Sequence, residues 1–229
     1  MLTYLIIRAE DDARKTAGIF RNEGVETIVE PIFSVENLVV NVENKNPQAL
    51  VITSSNACDA IINSGFALNI KIFAIGHRSA QKLLERGYNN IFYPEINSAE
   101  GLKNLIIANL PTQQGEIIYF CGDFITLDFK LELEPLGFTV VKILAYKVKW
   151  NENFSAEFLK KTQEKQIDFI LFYSKNSVKK FYELAKNNNL LEYFGNSRLL
   201  CLSDKIAATA KELGFKNLGN FNEIPTLKK

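Results

Sequence analysis

Short apolar runs alternate along the chain with segments whose apolar residues have helical spacing. The runs are rich in β-branched and aromatic residues and predict buried strands over Leu5–Arg8, Leu50–Thr53, Ile72–Ile75, Glu116–Cys121, Asp168–Tyr173 and Leu199–Leu202. The segments after them predict helices over Asp11–Asn22, Asn56–Ser64, Ser79–Arg86, Leu127–Leu136, Ser177–Asn187 and Lys205–Leu213. Strands that alternate with helices of about 10–15 residues are typical of βαβ units. We therefore predict an α/β fold with parallel sheets flanked by helices.

Three segments of the first half recur, in the same order, in the second half. Residues 5–29, 51–58 and 75–91 align with residues 118–142, 171–178 and 202–218. Glycines that would end helices coincide, Gly24 with Gly137 and Gly87 with Gly214. One such match can arise by chance between α/β segments. Three in order predict two similar domains.

Two extended segments lie between the repeats, Thr27–Val35 and Thr139–Trp150. Both are rich in β-branched and aromatic residues, so neither is a flexible Gly/Ser linker. They could pair as a two-stranded ribbon that joins the domains as a hinge. Equally, they could be ordinary strands of the two sheets, and the pattern leaves both possibilities open.

The charge balance excludes one class of partner. The chain has 27 basic and 26 acidic residues and a formal net charge of +1. A global basic field that would collect nucleic acid or acidic membranes is therefore excluded, although a local basic cleft is not.

No apolar run approaches the roughly 20 residues of a membrane span, and the first residues lack the features of a secretory signal. We expect a cytoplasmic protein with reduced thiols.

Cysteine and histidine usage leaves little room for a metal site. The three cysteines lie far apart, no C-x-x-C motif occurs, and His77 is the single histidine. The cysteine spacing disfavours a zinc ribbon and a disulfide scaffold. A single histidine makes a metal site with two histidines impossible. The glycine-rich motifs G-x-G-x-x-G and G-x-x-x-x-G-K-[ST] are both absent from the sequence, which argues against a dinucleotide or P-loop site.

Polar residues follow the predicted strands, where open parallel sheets bind their ligands. Short polar loops that open helices offer backbone N–H groups and positive dipole ends, which suit anions. The candidate ligand-binding residues at these positions are Arg8, Thr53, Ser54, Gly76, Arg78, Ser79, Cys121, Gly122, Asp123, Ser174, Lys175, Ser177, Ser203 and Lys205. For any single serine among them, the alternative is an N-cap with no role in binding.

Several of these loops carry a resemblance to a known family. The matching pieces are the opening strand that ends in Arg8, VITSSNA, FAIGHRSA, FCGD, the AYK segment around Tyr146, FYSKNSV and LCLSDKIAATAKELGF. In this order and spacing, over about residues 1–220, the chain resembles the uroporphyrinogen-III synthase family. It departs from the family pattern at Ala9, at Ser203-Asp204 and at Ile206.

The resemblance implies two α/β domains joined by a two-stranded β-ladder, with the active site in the cleft between them. One domain would contain residues 1–34 and 149–229, and the other residues 35–148. The hinge strands would lie near residues 28–36 and 140–149.

The resemblance also implies a reaction. Hydroxymethylbilane, a linear tetrapyrrole, would lose water and close to uroporphyrinogen III with its terminal ring inverted. The pyrrole nitrogens supply the electrons, so no metal or cofactor is expected. The partner would be this small molecule, not nucleic acid or a membrane, and the protein would be a monomer that can contact the preceding pathway enzyme transiently. The alternative is a binding or sensor module for a tetrapyrrole or another polyanion without turnover.

Tyr146 is the candidate for proton donation to the departing hydroxyl group. It resembles the tyrosine at the corresponding place in the family, and a phenol with an ordinary pKa of ~10 is protonated at neutral pH. Its position in the second extended segment leads us to expect it beside the cleft and outside either core. The alternative is an aromatic packing residue.

Overall fold

The computed structural model describes residues 2–224, and the chain divides into two compact units. The first unit contains Met1–Ser34 and Lys149–Lys229, and the second contains Val35–Val148. Residue 1 and residues 225–229 of the first predicted domain lie outside the described residues.

The chain forms eleven strands and eight α-helices in the described residues, with short 3₁₀ turns between some of them. The strands are β1 (Thr3–Ile7), β2 (Glu26–Val29), β3 (Phe33–Asn37), β4 (Ala49–Ile52), β5 (Ile72–Ala74), β6 (Ile91–Phe92), β7 (Glu116–Gly122), β8 (Thr139–Trp150), β9 (Phe169–Phe172), β10 (Arg198–Cys201) and β11 (Leu218–Asn220). The helices are α1 (Glu10–Arg21), α2 (Cys58–Asn63), α3 (His77–Leu84), α4 (Ala99–Asn109), α5 (Phe129–Leu133), α6 (Ala156–Glu164), α7 (Lys175–Asn187) and α8 (Asp204–Glu212).

The first unit contains a sheet with the strand order β11-β10-β9-β1-β2, in which all pairs are parallel. Strands β1 and β9 are apolar at almost every position because helices cover both faces of a parallel sheet. One face packs on Phe158, Phe181 and Phe194, which belong to the helical segments after β8 and β9. The other face packs on Phe20 of α1 and on Phe221.

The second unit contains a sheet with the order β3-β8-β7-β4-β5-β6. The ladders that join β8, β7, β4, β5 and β6 are parallel. One face is closed by α2 and α3 through Ile61 and Leu83, and the other by α4 and α5 through Ile106 and Phe129. The carboxyl ends of β4, β5 and β7 therefore meet at one edge of this sheet.

The two sheets confirm the repeat predicted from the sequence. Leaving out β3, the order β8-β7-β4-β5-β6 of the second unit corresponds strand by strand to β2-β1-β9-β10-β11 of the first. Each of these pairs lies in one of the three aligned segments or directly adjoins it. Two predicted helix-ending glycines at equivalent places, Gly87 and Gly214, have φ values of 90° and 93°. This left-handed conformation suits glycine at the C-terminal end of a helix.

The extended segments have a mixed outcome. The extended segment Thr27–Val35 contributes to two strands, because β2 joins the first sheet and β3 lies beside β8 in the second. Segment Thr139–Trp150 forms β8, a regular partner of β7. The division between the units falls within β3 and near the end of β8. A hinge motion at this place stays a prediction.

Candidate active site

The side chain of Tyr146 lies against the backbone of Gly122 at the end of β7. Residue Cys121 pairs with Leu144, but Gly122 pairs with Tyr146, so β8 contains one extra residue, Ala145, at this point. A β-carbon added to Gly122 would lie 2.4–2.7 Å from the Cζ, Cε2 and hydroxyl oxygen of Tyr146. The ring can occupy this place because Gly122 has no side chain.

The bulge also corrects the expectation that Tyr146 lies outside either core. Ala145 and Tyr146 are 2% and 7% exposed, and both pack in the same cluster as Phe120 and Cys58. Consecutive residues of a regular strand face opposite sides of the sheet, whereas a bulge lets two neighbours share one side. Tyr146 is therefore part of the core of the second unit, with a small exposed fraction at the strand end.

The phenol of Tyr146 is kept in its neutral form. Burial raises its pKa, and a hydrogen bond with the Ser54 side chain opposes this effect only in part. Asp123 nearby raises the pKa further. The group therefore carries its proton throughout the neutral range and can donate it.

Ser54 follows β4 and is half-buried. Its hydroxyl oxygen accepts a hydrogen bond from the backbone N–H of Asn56 at 3.2 Å, so it caps the 3₁₀ turn before α2. The hydroxyl of the preceding residue, Thr53, lies 3.4 Å from that of Tyr119, which itself donates to the carbonyl of Leu127 at 3.4 Å. Burial raises the pKa of Tyr119 to about 12. Thr53 thus links the exit of β4 to the core behind it.

Gly76 follows β5 and lies beneath Asn97, a residue that the sequence analysis missed. A β-carbon at Gly76 would be 2.2 Å from Oδ1 of Asn97, so the amide sits directly on this backbone. Asn97 precedes Ser98, which caps α4 by accepting from the N–H of Gly101 at 3.0 Å. Ser98 directly before the helix was the available signal, but α4 itself was not predicted.

Three predicted binding residues have buried side chains. Ser79 and Ser177 are 2% exposed, and Cys121 is 1% exposed. The N–H of Ser79 donates to the carbonyl of Gly76 at 3.1 Å, and that of Ser177 to Ser174 at 3.1 Å. Burial raises the pKa of the Cys121 thiol, which contacts the carbonyl of Ile143. The side chains of these three residues pack inside the unit, and their roles in ligand binding stay predictions.

Asp123 and Arg78 are exposed at the same edge of the second sheet. A carboxylate oxygen of Asp123 accepts from the backbone N–H of Val148 at 3.1 Å, which ties the end of β7 to β8 beyond the bulge. In this unit the structure thus brings Thr53, Ser54, Gly76, Gly122, Asp123 and Tyr146 to neighbouring strand ends.

The strand ends of the first unit carry the remaining candidates. Arg8 follows β1, its guanidinium group lies 3.9 Å from the centroid of the Tyr173 ring, and it pairs with Asp12 at 3.2 Å. Ser174 follows β9 and caps α7 through the N–H of Ser177. Ser203 follows β10 and precedes α8, but its side chain makes no capping hydrogen bond.

Lys175 and Lys205 are exposed in the first turns of α7 and α8. Neither lysine forms an ion pair with any residue between 2 and 224. Both are thus cations available for an anion at the strand ends of this unit. In this part of the chain the structure brings Arg8, Ser174, Lys175, Ser203 and Lys205 to adjacent strand exits.

The described residues contain neither a metal cluster nor a membrane span. No group of three or more histidine, cysteine, aspartate or glutamate side chains lies close enough to hold a metal ion. Cys58, Cys121 and Cys201 are free and buried. Within the same residues, no helix is both long and apolar enough to cross a membrane.

Comparison with known proteins decides the family. The sequence pattern of the family described as uroporphyrinogen-III synthase HemD matches residues 14–220. The chain belongs to the uroporphyrinogen-III synthase family. Family membership makes it a lyase-type enzyme of haem biosynthesis with a small tetrapyrrole substrate, and nothing supports the alternative of a non-catalytic binding module. No protein with a curated description matches the sequence.

Solved structures of uroporphyrinogen-III synthases share the fold. The enzyme from Helicobacter pylori 26695 is 14% identical with a TM-score of 0.66, and the match covers 96% of this chain and 92% of that one. A mutant enzyme from the extremely thermophilic bacterium Thermus thermophilus is also 14% identical, with a TM-score of 0.55, over 95% of this chain and 92% of that one. Both matches support the α/β fold over nearly the whole length of the chain.

Proposed function

We propose that this chain converts hydroxymethylbilane to uroporphyrinogen III and that Tyr146 donates the proton for the loss of water. The observation that carries the assignment of Tyr146 is its close packing on Gly122, beside Ser54 and at the carboxyl ends of β4 and β7. The phenol is neutral because burial raises its pKa. The ring packs on the backbone of Gly122, where the side chain of any other residue would overlap it.

The proposed first step breaks the bond between the terminal methylene and its hydroxyl group. The phenol of Tyr146 transfers its proton to the departing oxygen, and water leaves while the adjacent pyrrole nitrogen supplies the electron pair. The resulting azafulvene is electrophilic. The pyrrole at the far end of the chain attacks it through the ring carbon of that pyrrole that is already substituted, which gives a spiro intermediate. The spiro intermediate then fragments and recloses with the terminal ring inverted. The proton released as the macrocycle forms restores the phenol.

The carboxylates of the substrate would be shared among several donors. In the first unit these are Arg8, Lys175 and Lys205, with the backbone N–H groups beside Ser174 and Ser203. In the second unit they are Arg78 and the backbone N–H groups beside Ser54, Gly76 and Gly122. To these we add the amide of Asn97, because it lies against the backbone of Gly76. Binding that holds a flexible chain in a reactive conformation supplies much of the rate in such a reaction.

The direct test is incubation of the purified protein with hydroxymethylbilane, followed by chromatographic separation of isomers I and III. Isomer III is expected as the main product, whereas closure in solution without inversion gives isomer I. The Tyr146→Phe variant provides the matched comparison, since it keeps the ring and removes only the hydroxyl. Isomer I alone from folded wild-type protein would contradict the proposal. Action as a monomer, and transfer of the substrate from the preceding enzyme, remain predictions.

A further inference from the structure

Arg8 is held by three neighbours at the end of β1. Its guanidinium carbon lies 3.9 Å from the centroid of the Tyr173 ring. One terminal nitrogen donates to the carboxylate of Asp12 at 3.2 Å, and the other donates to the hydroxyl of Thr16 at 3.3 Å. The Arg8 side chain is 20% exposed. The cation is therefore fixed on three sides and still reaches solvent.

Tyr173 is itself fixed at this place. It directly follows β9, whose last residue, Phe172, pairs with Ile7 of β1, so Tyr173 and Arg8 leave neighbouring strands side by side. The ring of Phe221 packs edge-on against Tyr173 at 4.8 Å. Burial raises the pKa of the Tyr173 hydroxyl, and the nearby Arg8 and Thr16 side chains lower it. Among residues 2–224, however, no partner forms a well-aligned hydrogen bond with this hydroxyl. The defined contact of Tyr173 is therefore made by its ring, which forms a platform between Phe221 and Arg8.

Such a platform has a consequence for anion binding. A guanidinium group has more N–H donors than its two hydrogen bonds to Asp12 and Thr16 use, so it can still bind a carboxylate. A free arginine side chain loses rotamer freedom when a ligand immobilises it. Attraction to an aromatic face holds the group in place before the ligand arrives, and thereby reduces this loss.

We propose that Tyr173 is a positioning residue that presents Arg8 to a carboxylate of the substrate. The inference rests on the proposed function, in which Arg8 is one of the shared carboxylate donors. Tyr173 contacts no reacting atom in this scheme and acts through Arg8 alone.

The kinetic test compares variants at position 173 in two backgrounds. Tyr173→Leu is expected to raise KM about threefold to tenfold and to leave kcat within about twofold, because the lost interaction serves binding in the ground state and the transition state alike. Tyr173→Phe, which keeps the ring, should restore a KM close to that of the wild type. In an Arg8→Met background, Tyr173→Leu should have no further effect on KM. Tyr182→Leu is the matched control, because Tyr182 packs edge-on against Phe215 in the same unit, at 6.0 Å.

Two kinetic outcomes would overturn the proposal. One is an equal rise in KM for Tyr173→Leu with and without Arg8, and the other is an equal rise in the Tyr182→Leu control. Either result would mean that Tyr173 only stabilises the unit. If Tyr173→Leu does not fold, Tyr173→Met takes its place in the same comparison.

A nuclear magnetic resonance measurement tests the arrangement without turnover. The side-chain N–H proton of Arg8, assigned by its absence in Arg8→Met, should be shifted upfield by the ring beneath it in the wild type and in Tyr173→Phe. The shift should disappear when the ring is removed. A wild-type signal at the ordinary arginine position would refute the platform, whatever the activity. A normal upfield shift in a protein that forms no uroporphyrinogen III would instead refute the proposed function.

Discussion

At the scale of single residues, removal of the Tyr146 hydroxyl tests whether this residue donates a proton or only packs in the core. Tyr146→Phe keeps the buried ring against Gly122 and removes the group whose proton the mechanism uses. We expect kcat to fall by roughly 10²-fold, with little change in unfolding free energy. Initial rates of isomer III formation and urea unfolding measure the two quantities.

The matched control for this substitution is Tyr88→Phe. Tyr88 is buried in the same cluster, and its hydroxyl donates to the carbonyl of Ile61 at 3.2 Å. Loss of this hydrogen bond should reduce the unfolding free energy by about 1 kcal/mol and leave the rate of isomer III formation unchanged. Full activity in folded Tyr146→Phe would remove the phenol from the mechanism.

Gly122 is the second residue whose role is decided by local geometry. In Gly122→Ala the new methyl group would overlap the ring of Tyr146, which must move or strain the strand end. We expect a fall in kcat at least as large as that of Tyr146→Phe and a loss of stability of about 1–3 kcal/mol. Both quantities come from the same rate and urea measurements.

Gly18→Ala serves as the control, because no atom lies within 4 Å of its added β-carbon inside α1. The unfolding free energy of that variant should rise by about 0.5–1 kcal/mol, since alanine favours a helix more than glycine does. An active Gly122→Ala protein would show that the position of the ring is unimportant.

At the scale of secondary-structure elements, two helix starts of the first unit, those of α7 and α8, differ in their caps. Ser174 accepts from the N–H of Ser177 at 3.1 Å, whereas the Ser203 side chain makes no such bond at the start of α8. Ser174→Ala should therefore reduce the unfolding free energy by about 1 kcal/mol, and Ser203→Ala should leave it nearly unchanged. Urea unfolding of the two variants checks this difference, and equal losses would contradict it.

The same scale shows which elements the sequence could predict. Strands such as β1 and β9 were predicted because continuous apolar runs mark strands buried on both faces. Helix α6 was missed because only Phe158 and Thr162 of its nine residues are buried, which is too few to reveal a periodicity. Helix α4 was missed because Gly101 interrupts its first turn and Ile107 is exposed on its outer face.

The site was only partly predictable for a related reason. Strand ends supplied most of the candidate positions, since connectivity fixes where parallel strands finish. The sequence does not reveal the bulge that turns Tyr146 into the core, because Ala145 does not alter the composition of β8. It also could not separate serines that cap a helix, such as Ser174, from those that are buried, such as Ser79.

At the scale of the whole molecule, the proposed substrate binding is shared among several cations. Arg8, Arg78, Lys175 and Lys205 are cations in a chain whose net charge is +1. Lys175→Ala should therefore raise KM by about tenfold to a hundredfold at most, without loss of kcat. Lys179→Ala, an exposed lysine one turn further along α7, should leave KM unchanged. A folded Lys175→Ala protein without any turnover would show that one lysine dominates.

The unpaired residue in β8 has a final consequence, for variation in chain length. Ala145 has no partner on β7, since its neighbours Leu144 and Tyr146 pair with Cys121 and Gly122. Deletion of Ala145 would let the ladder with β7 run without interruption, but it would remove the carbonyl that accepts from the N–H of Leu38 at 2.9 Å and would shift β8 by one residue against β3. A relative that lacks this residue is therefore expected to differ also in the segment that pairs with β8 on its other side. An alignment of relatives is best anchored on Gly122 and Tyr146, with any gap placed between Leu144 and Tyr146.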